Sequence, residues 1–93
     1  MSFDQNSAIQ KAKQDLAGRL GISEGDISLS GVKDVEFPDM SLGAPADGEM
    51  AAQMISYGWR IDLEAAGKSY EYRGDKYQLR LKNFKGQNHV VVY

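Results

Sequence analysis

The apolar residues of this chain change their repeat once, between Leu20 and Ile27, and that change limits the fold more than any motif does. Up to Leu20 the spacing is helical. Ile9, Ala12, Leu16 and Leu20 stand at i, i+3, i+7 and i+11, with Lys11, Lys13, Gln14 and Asp15 on the remaining positions. Such a stripe predicts an amphipathic helix over 7–20. Ser7 and Gln10 have the spacing of a capping box, and Gly21 suits the left-handed residue that closes a helix, with Ile22 folding back on the last turn. Gly18 costs a helix about 1 kcal/mol relative to Ala and marks a place for close packing against a sheet.

From Ile27 the repeat is two. Ile27, Leu29, Val35 and Phe37 share one parity; Ser28, Ser30, Asp34 and Glu36 share the other. Val32 breaks the alternation beside Gly31, which predicts a bulge or bend, and Pro38 ends the strand because it has no N–H for a ladder. Trp59, Ile61 and Leu63 then alternate with Arg60, Asp62 and Glu64, Ala65–Lys68 forms a turn, and Tyr70 and Tyr72 return, so 58–73 reads as a hairpin. After a turn at Gly74-Asp75, Tyr77, Leu79 and Leu81 face the core, with Lys76, Gln78, Arg80 and Lys82 outward. Lys85–Asn88 turns into a last strand, His89–Tyr93. The expected class is α+β: one N-terminal helix packed on an antiparallel meander of four or five strands, with a long loop between the first and second strands. At 93 residues the chain is a single domain, 1–93.

Composition narrows the chemistry. With no cysteine there is no disulfide, no thiolate nucleophile and no thiolate metal site. The start, MSFDQNSAIQKAKQ, lacks the basic and apolar regions of a secretory signal, and no apolar run approaches the roughly 18 residues that span a bilayer. A cytoplasmic chain without membrane contact is expected, or an envelope protein if a leader has been removed. Charge is uneven: residues 1–67 hold five Lys/Arg and eleven Asp/Glu (5 − 11 = −6), residues 68–93 six and two (6 − 2 = +4). A polarised surface of this kind steers partners or simply keeps a protein soluble.

The usual reactive constellations are missing. His89 is the one histidine and has no Cys or second His beside it for a metal site or nucleophile pair. Ser41-Leu42-Gly43 is not a nucleophile elbow. Asp39, Asp47 and Glu49 lack the alternating ligands and central Gly of a calcium loop and read as solvated acids. The basic and aromatic run 76–85 places Tyr77 with Leu79 and Leu81 rather than with the cations, so a nucleic-acid surface is not expected. Tyr57, Trp59, Tyr70, Tyr72 and Tyr77 read as core and cross-strand pairs. No cofactor is implied, and no enzyme is expected.

What remains is FPDMSLGAPADGEM, residues 37–50, with both prolines, two glycines, two methionines and three acids. Loops of more than about 12 residues in small domains are commonly functional. Pro38 and Pro45 limit its freedom, and Met40, Leu42 and Met50 can anchor it, so an ordered loop is expected. One use is presentation: a protein-binding module offering Pro38, Asp39, Met40, Ser41, Leu42, Gly43 and Pro45 to a protein partner. The other is cover: a cap over the core, in a structural domain that self-associates through an exposed strand edge near Val90–Val92, as a monomer or weak homo-oligomer.

The pattern F-P-D-x-S-L-G-x-P at 37–45, with A-Q-x-I at 52–55, G-W-R-I-x-L-E-A at 58–65 and Y-E-Y-R at 70–73, resembles a widespread small bacterial domain. That domain is found in envelope proteins and lipoproteins and has no established activity. Relatives carry Trp where this chain has Phe37, Cys where it has Ala44 and His where it has Arg73, so the resemblance implies a variant without a cysteine at the loop. The helix-then-meander layout is more loosely similar to PepSY-type and cystatin-like domains, some of which bind or inhibit peptidases. It therefore implies a peptidase as one candidate partner.

Overall fold

In a computed structural model describing residues 2–92, the change of period is a change of element. Helix α1 (Gln5–Leu20) and a short 3-10 turn (Glu24–Asp26) precede five strands. These are β1 (Ser28–Phe37), β2 (Ser56–Ala65), β3 (Lys68–Asp75), β4 (Leu79–Phe84) and β5 (Gln87–Val92). They form one antiparallel sheet in the order β1-β2-β3-β4-β5, so the α+β meander is as expected, with five strands. Tyr93, expected in the last strand, lies outside the described residues.

The helix starts earlier than Ser7. Asp4 is the N-cap: its carboxylate accepts from Ser7 N–H at 2.8 Å, and Ser7 Oγ accepts from Asp4 N–H at 2.9 Å. Ser7 is thus the returning partner of a capping box, and Gln10 has no part in it. A carboxylate suits the positive end of a helix, and these bonds hold the Asp4 carboxyl below its ordinary range. At the other end Gly21 is left-handed (φ +67°) and Ile22 N–H reaches the Ala17 carbonyl at 3.1 Å, closing the helix as expected.

Ala8, Ala12 and Leu16 are fully buried, and these mostly small side chains let α1 lie close over β2, β3 and β4, against Ile61, Leu63, Tyr72, Leu79 and Leu81. A polar tie secures the contact. Tyr72 Oη donates to Asp15 Oδ2 at 2.7 Å, and Arg19 Nε donates to the same oxygen at 2.7 Å. Burial, with the carboxylate beside it, pushes the Tyr72 phenol far above its usual range. Asp15 therefore belongs to the packed side of the helix, not to its solvated face. Gly18 meets nothing within 4 Å of where a Cβ would stand, so it marks no close approach to the sheet.

The bulge expected near Gly31 falls between Leu29 and Gly31. One extra residue turns the following side chains to the opposite face. Val32 then packs on the helix side opposite Ile61, while Val35 and Phe37, expected to share a face with Leu29, lie on the other side of the sheet. The turns at Ala66-Gly67 (φ +52°, +76°) and Lys85-Gly86 (φ +52°, +79°) have the two left-handed residues that match the twist of a tight hairpin.

The third meander strand departs most from expectation. Asp75 Oδ1 accepts from the N–H groups of Tyr77 (2.8 Å) and Gln78 (2.9 Å), making a turn that delays β4 until Leu79. Tyr77 sits in that turn and is exposed, whereas Arg80, between Leu79 and Leu81, is only 1% exposed. Both faces of the sheet are therefore buried around β4.

Two glycine substitutions separate the free from the constrained positions. Gly18→Ala is expected to stabilise the protein by about 1 kcal/mol in urea denaturation, since the helix gains propensity and nothing is displaced. Gly58→Ala is expected to lower the midpoint, because its Cβ would collide with the Gly74 carbonyl of β3.

Candidate functional site

The long connection from β1 to β2 folds back onto the face of the sheet away from α1. Its first turn is built by Asp39, whose Oδ1 accepts from Ser41 N–H (2.9 Å), Ser41 Oγ (2.5 Å) and Gly43 N–H (3.3 Å). These bonds hold the carboxyl below its ordinary range. Leu42 and Gly43 follow in the left-handed region (φ +59° and +67°), a conformation that costs a residue with a Cβ about 1–2 kcal/mol. Leu42 bears it because its side chain is fully buried and its carbonyl is held from the sheet.

Side chains of the sheet hold the loop by its backbone. Gln78 Nε2 donates to the Met40 carbonyl (2.6 Å), Arg73 Nη1 to Leu42 (2.9 Å), Arg80 Nη1 to Ala44 (3.2 Å) and Asn88 Nδ2 to Pro45 (2.9 Å). Three of these acceptors, at Met40, Leu42 and Ala44, are ones that a packed loop would otherwise leave short of water, and they are thereby satisfied. A Cβ on Gly43 would stand 2.6 Å from Arg73 Nη1, so a larger residue would displace the guanidinium as well as strain a left-handed backbone.

Arg73 and Arg80 are cross-strand partners in the β3–β4 register. Like charges so placed repel, and each is balanced by a carboxylate. Arg73 Nε donates to Glu71 Oε2 at 2.6 Å. Arg80 forms a bidentate pair with Glu49, Nη1 to Oε1 and Nη2 to Oε2 (2.8 Å for the latter), and its Nε donates to Gln78 Oε1 at 2.8 Å. The guanidinium holds the Glu49 carboxyl below its usual range. Among the described residues no buried side-chain N or O atom lacks a hydrogen-bond partner.

Of the seven residues read as a contact loop, Ser41 and Leu42 are buried, Asp39, Met40 and Gly43 half-buried, and only Pro38 and Pro45 exposed. Phe37 and Ala44 are buried with them. Asp39 and Glu49 are engaged rather than solvated, and Asp47 alone of the three loop acids is exposed. Among the described residues no three His, Cys, Asp or Glu side chains converge as a metal site. His89 stands edge-on to Phe84, ring centroids 5.8 Å apart.

The exposed apolar surface lies just beyond the loop's pinned part. Of six large apolar side chains exposed among the described residues, five are Met50, Met54, Ile55, Tyr57 and Tyr77, at 55% to 97%. Gly58 pairs with Asp75, so Tyr57 lies alongside the turn that carries Tyr77, at the end of the sheet where β2 begins. Tyr57 and Tyr77 were expected in the core. Their parity is that of core residues, but each stands one step past the region that α1 covers. Met54-Ile55, an apolar pair before the alternation starts, was the one signal of this surface in the sequence. Beside it, Asp34, Glu36, Tyr57 and Trp59 line an open cleft of about 320 Å³ on the helix-side face of β1 and β2.

The Arg80–Glu49 pair should behave as a coupled unit. Glu49→Ala, which leaves a buried guanidinium without its carboxylate, is expected to cost about 3 kcal/mol, and the cost should be mostly absent when Arg80→Met is already in place. A double-mutant cycle in urea checks this. Because the folded Glu49 carboxyl titrates below its ordinary value of 4.5, its contribution is complete above that pH and is lost as pH falls through the folded value. Acid unfolding should therefore be shallower in Glu49→Gln than in the parent.

A model of a protein family, described as Domain of unknown function (DUF8738), matches residues 9–82. No curated protein and no solved structure matches the chain.

Proposed function

Since the chain belongs to the DUF8738 family, whose description assigns no activity, we propose from its own geometry that it is a non-enzymatic protein-binding module. Its contact surface is the apolar end formed by Met54, Ile55, Tyr57 and Tyr77. The observation that carries this is the presence there of four of the six large apolar side chains exposed among the described residues. Contiguous exposed apolar patches are typical of interaction sites, and tyrosine is enriched in them. Tyr57 and Tyr77 are carried on a strand and on the turn closed by Asp75, so little backbone freedom is lost there on docking.

The non-enzymatic part of this reading rests on how the polar groups are used. Asp39 and Glu49 are held as carboxylates, the reverse of what a general acid needs. The one strongly raised group, the Tyr72 phenol, is committed to Asp15 under the helix. An inhibitor-like loop facing a peptidase cleft would need an accessible segment. Ser41 and Leu42 are buried, so the contact is placed at the apolar end and not at the loop's tip.

A second reading draws on β5. This edge strand, QNHVVV, carries no Lys, Arg, Asp or Glu, whereas the opposite edge, β1, has Lys33, Asp34 and Glu36; the register is irregular at both edges. Charges protect an edge from pairing with another chain, so by charge β5 is the edge better suited to self-association by strand addition.

The two readings separate experimentally. Immobilised parent protein should retain a partner that Ile55→Ser/Tyr57→Ser loses at least tenfold, with the thermal midpoint unchanged. Identical captured sets from both would refute the apolar end as the contact. Sedimentation equilibrium should show concentration-dependent dimerisation that Val91→Lys abolishes if β5 is the interface, and a monomer throughout otherwise.

A further inference from the structure

The uncovered face of β1 and β2 pairs acid with aromatic twice over. Asp34 is the cross-strand partner of Trp59, and Glu36 of Tyr57. Directly opposed residues share a face, so two carboxylates and two rings line the same open cleft. Helix α1 packs on β2, β3 and β4 and leaves this side of the sheet open.

The carboxylates are unspent. Asp34 and Glu36 are both exposed, and neither is in an ion pair among the described residues. The arginines of the sheet are already matched: Arg60 to Asp62 and Glu71, Arg73 to Glu71, Arg80 to Glu49. Lys33, the nearest cation in sequence, pairs with Arg60 and so points to the opposite face. The chain from 33 to 57 holds Lys33 against Asp34, Glu36, Asp39, Asp47 and Glu49. A partner's cation meets no competing charge of β1 or β2 in the cleft itself. The neighbouring cation, Lys76, stands over the Tyr77 ring, 6.0 Å from its centroid.

We infer that the partner bound at the apolar end is a basic segment. A lysine or arginine side chain of that segment seats in the Asp34, Glu36, Tyr57, Trp59 cleft while its apolar neighbours lie on Ile55 and Tyr57. This rests on the protein-binding reading and adds the chemistry of the partner. Charge complementarity selects a cation, and the rings add the attraction of an aromatic face for an ammonium or guanidinium group. The cleft, about 320 Å³, has room for a long side chain together with part of the backbone that carries it. An extended chain suits it because the acids recur at every second residue along β1 and the rings at every second residue along β2, the repeat that an extended peptide shares.

Trp59, the only tryptophan, reports directly on the cleft. The probes are three capped pentapeptides, Val-Lys-Val-Arg-Val, Val-Gln-Val-Gln-Val and Val-Glu-Val-Asp-Val. They are titrated against the whole chain, with Trp59 emission and amide shifts of residues 34–36 and 57–59 as readouts. The basic peptide should bind at least tenfold more tightly than the neutral one, with the acidic one inert and added salt weakening the complex. Asp34→Asn/Glu36→Gln, at exposed positions, should lower that affinity at least tenfold without moving the thermal midpoint. Failure of the basic peptide to perturb Trp59 at millimolar concentration, equal binding of the neutral peptide, or indifference to the double substitution would overturn the inference. If Ile55→Ser/Tyr57→Ser abolishes partner capture while Asp34→Asn/Glu36→Gln leaves it intact, the apolar surface stands and the basic partner falls.

Discussion

A guanidinium buried on the face of the sheet away from the helix is the element on which the rest of this small domain is arranged. Arg80 cannot shed its charge, and an unpaired cation in the interior would cost more than a domain of this size can spare. Its partners come from places far apart in the chain: Glu49 and the Ala44 carbonyl from the β1–β2 connection, Gln78 from the turn before β4. Satisfying one side chain thus requires the connection to lie on the sheet. Once it does, Phe37, Leu42 and Ala44 are covered and a second, smaller apolar layer forms opposite the helix. The polar group specifies where the apolar ones go.

Local periodicity made α1, the bulge in β1, the hairpins and the helix-plus-meander class readable from the residues alone, because each depends on neighbours in sequence. What was not readable depends on long-range pairing. Arg80 has the parity of a solvent-facing residue, and only Glu49, 31 positions away, converts that parity into burial. Tyr57 and Tyr77 have core parity, but the helix ends its cover before reaching them. Val35 and Phe37 changed faces because the bulge shifts the repeat by one, and the repeat does not announce which side of the bulge a core will occupy. The loop's order was signalled by its prolines. Its inward orientation was signalled only by Asp39 and Gly43, which are ambiguous until Arg73 is placed beside them.

The division of labour between the two sheet faces follows from these placements. The helix side is held by apolar packing and a single polar tie through Tyr72 and Asp15. The other side adds to a smaller apolar layer a lattice of charged and amide groups, so more of its strength depends on ionisation than the helix side's does. The acidic excess of the first two-thirds of the chain is consumed on this polar side at Asp39 and Glu49 and left uncommitted at Asp34 and Glu36.

The loop is held by side chains of the strands donating to main-chain oxygens at 40, 42, 44 and 45, and a carbonyl oxygen is the same whichever residue supplies it. The route of the connection is therefore written mainly in Arg73, Gln78, Arg80 and Asn88, outside the connection itself. Apart from the turn-forming Asp39, the crowded Gly43, the ion-paired Glu49 and the buried Ser41, Leu42 and Ala44, its residues can vary while its path over the sheet stays the same.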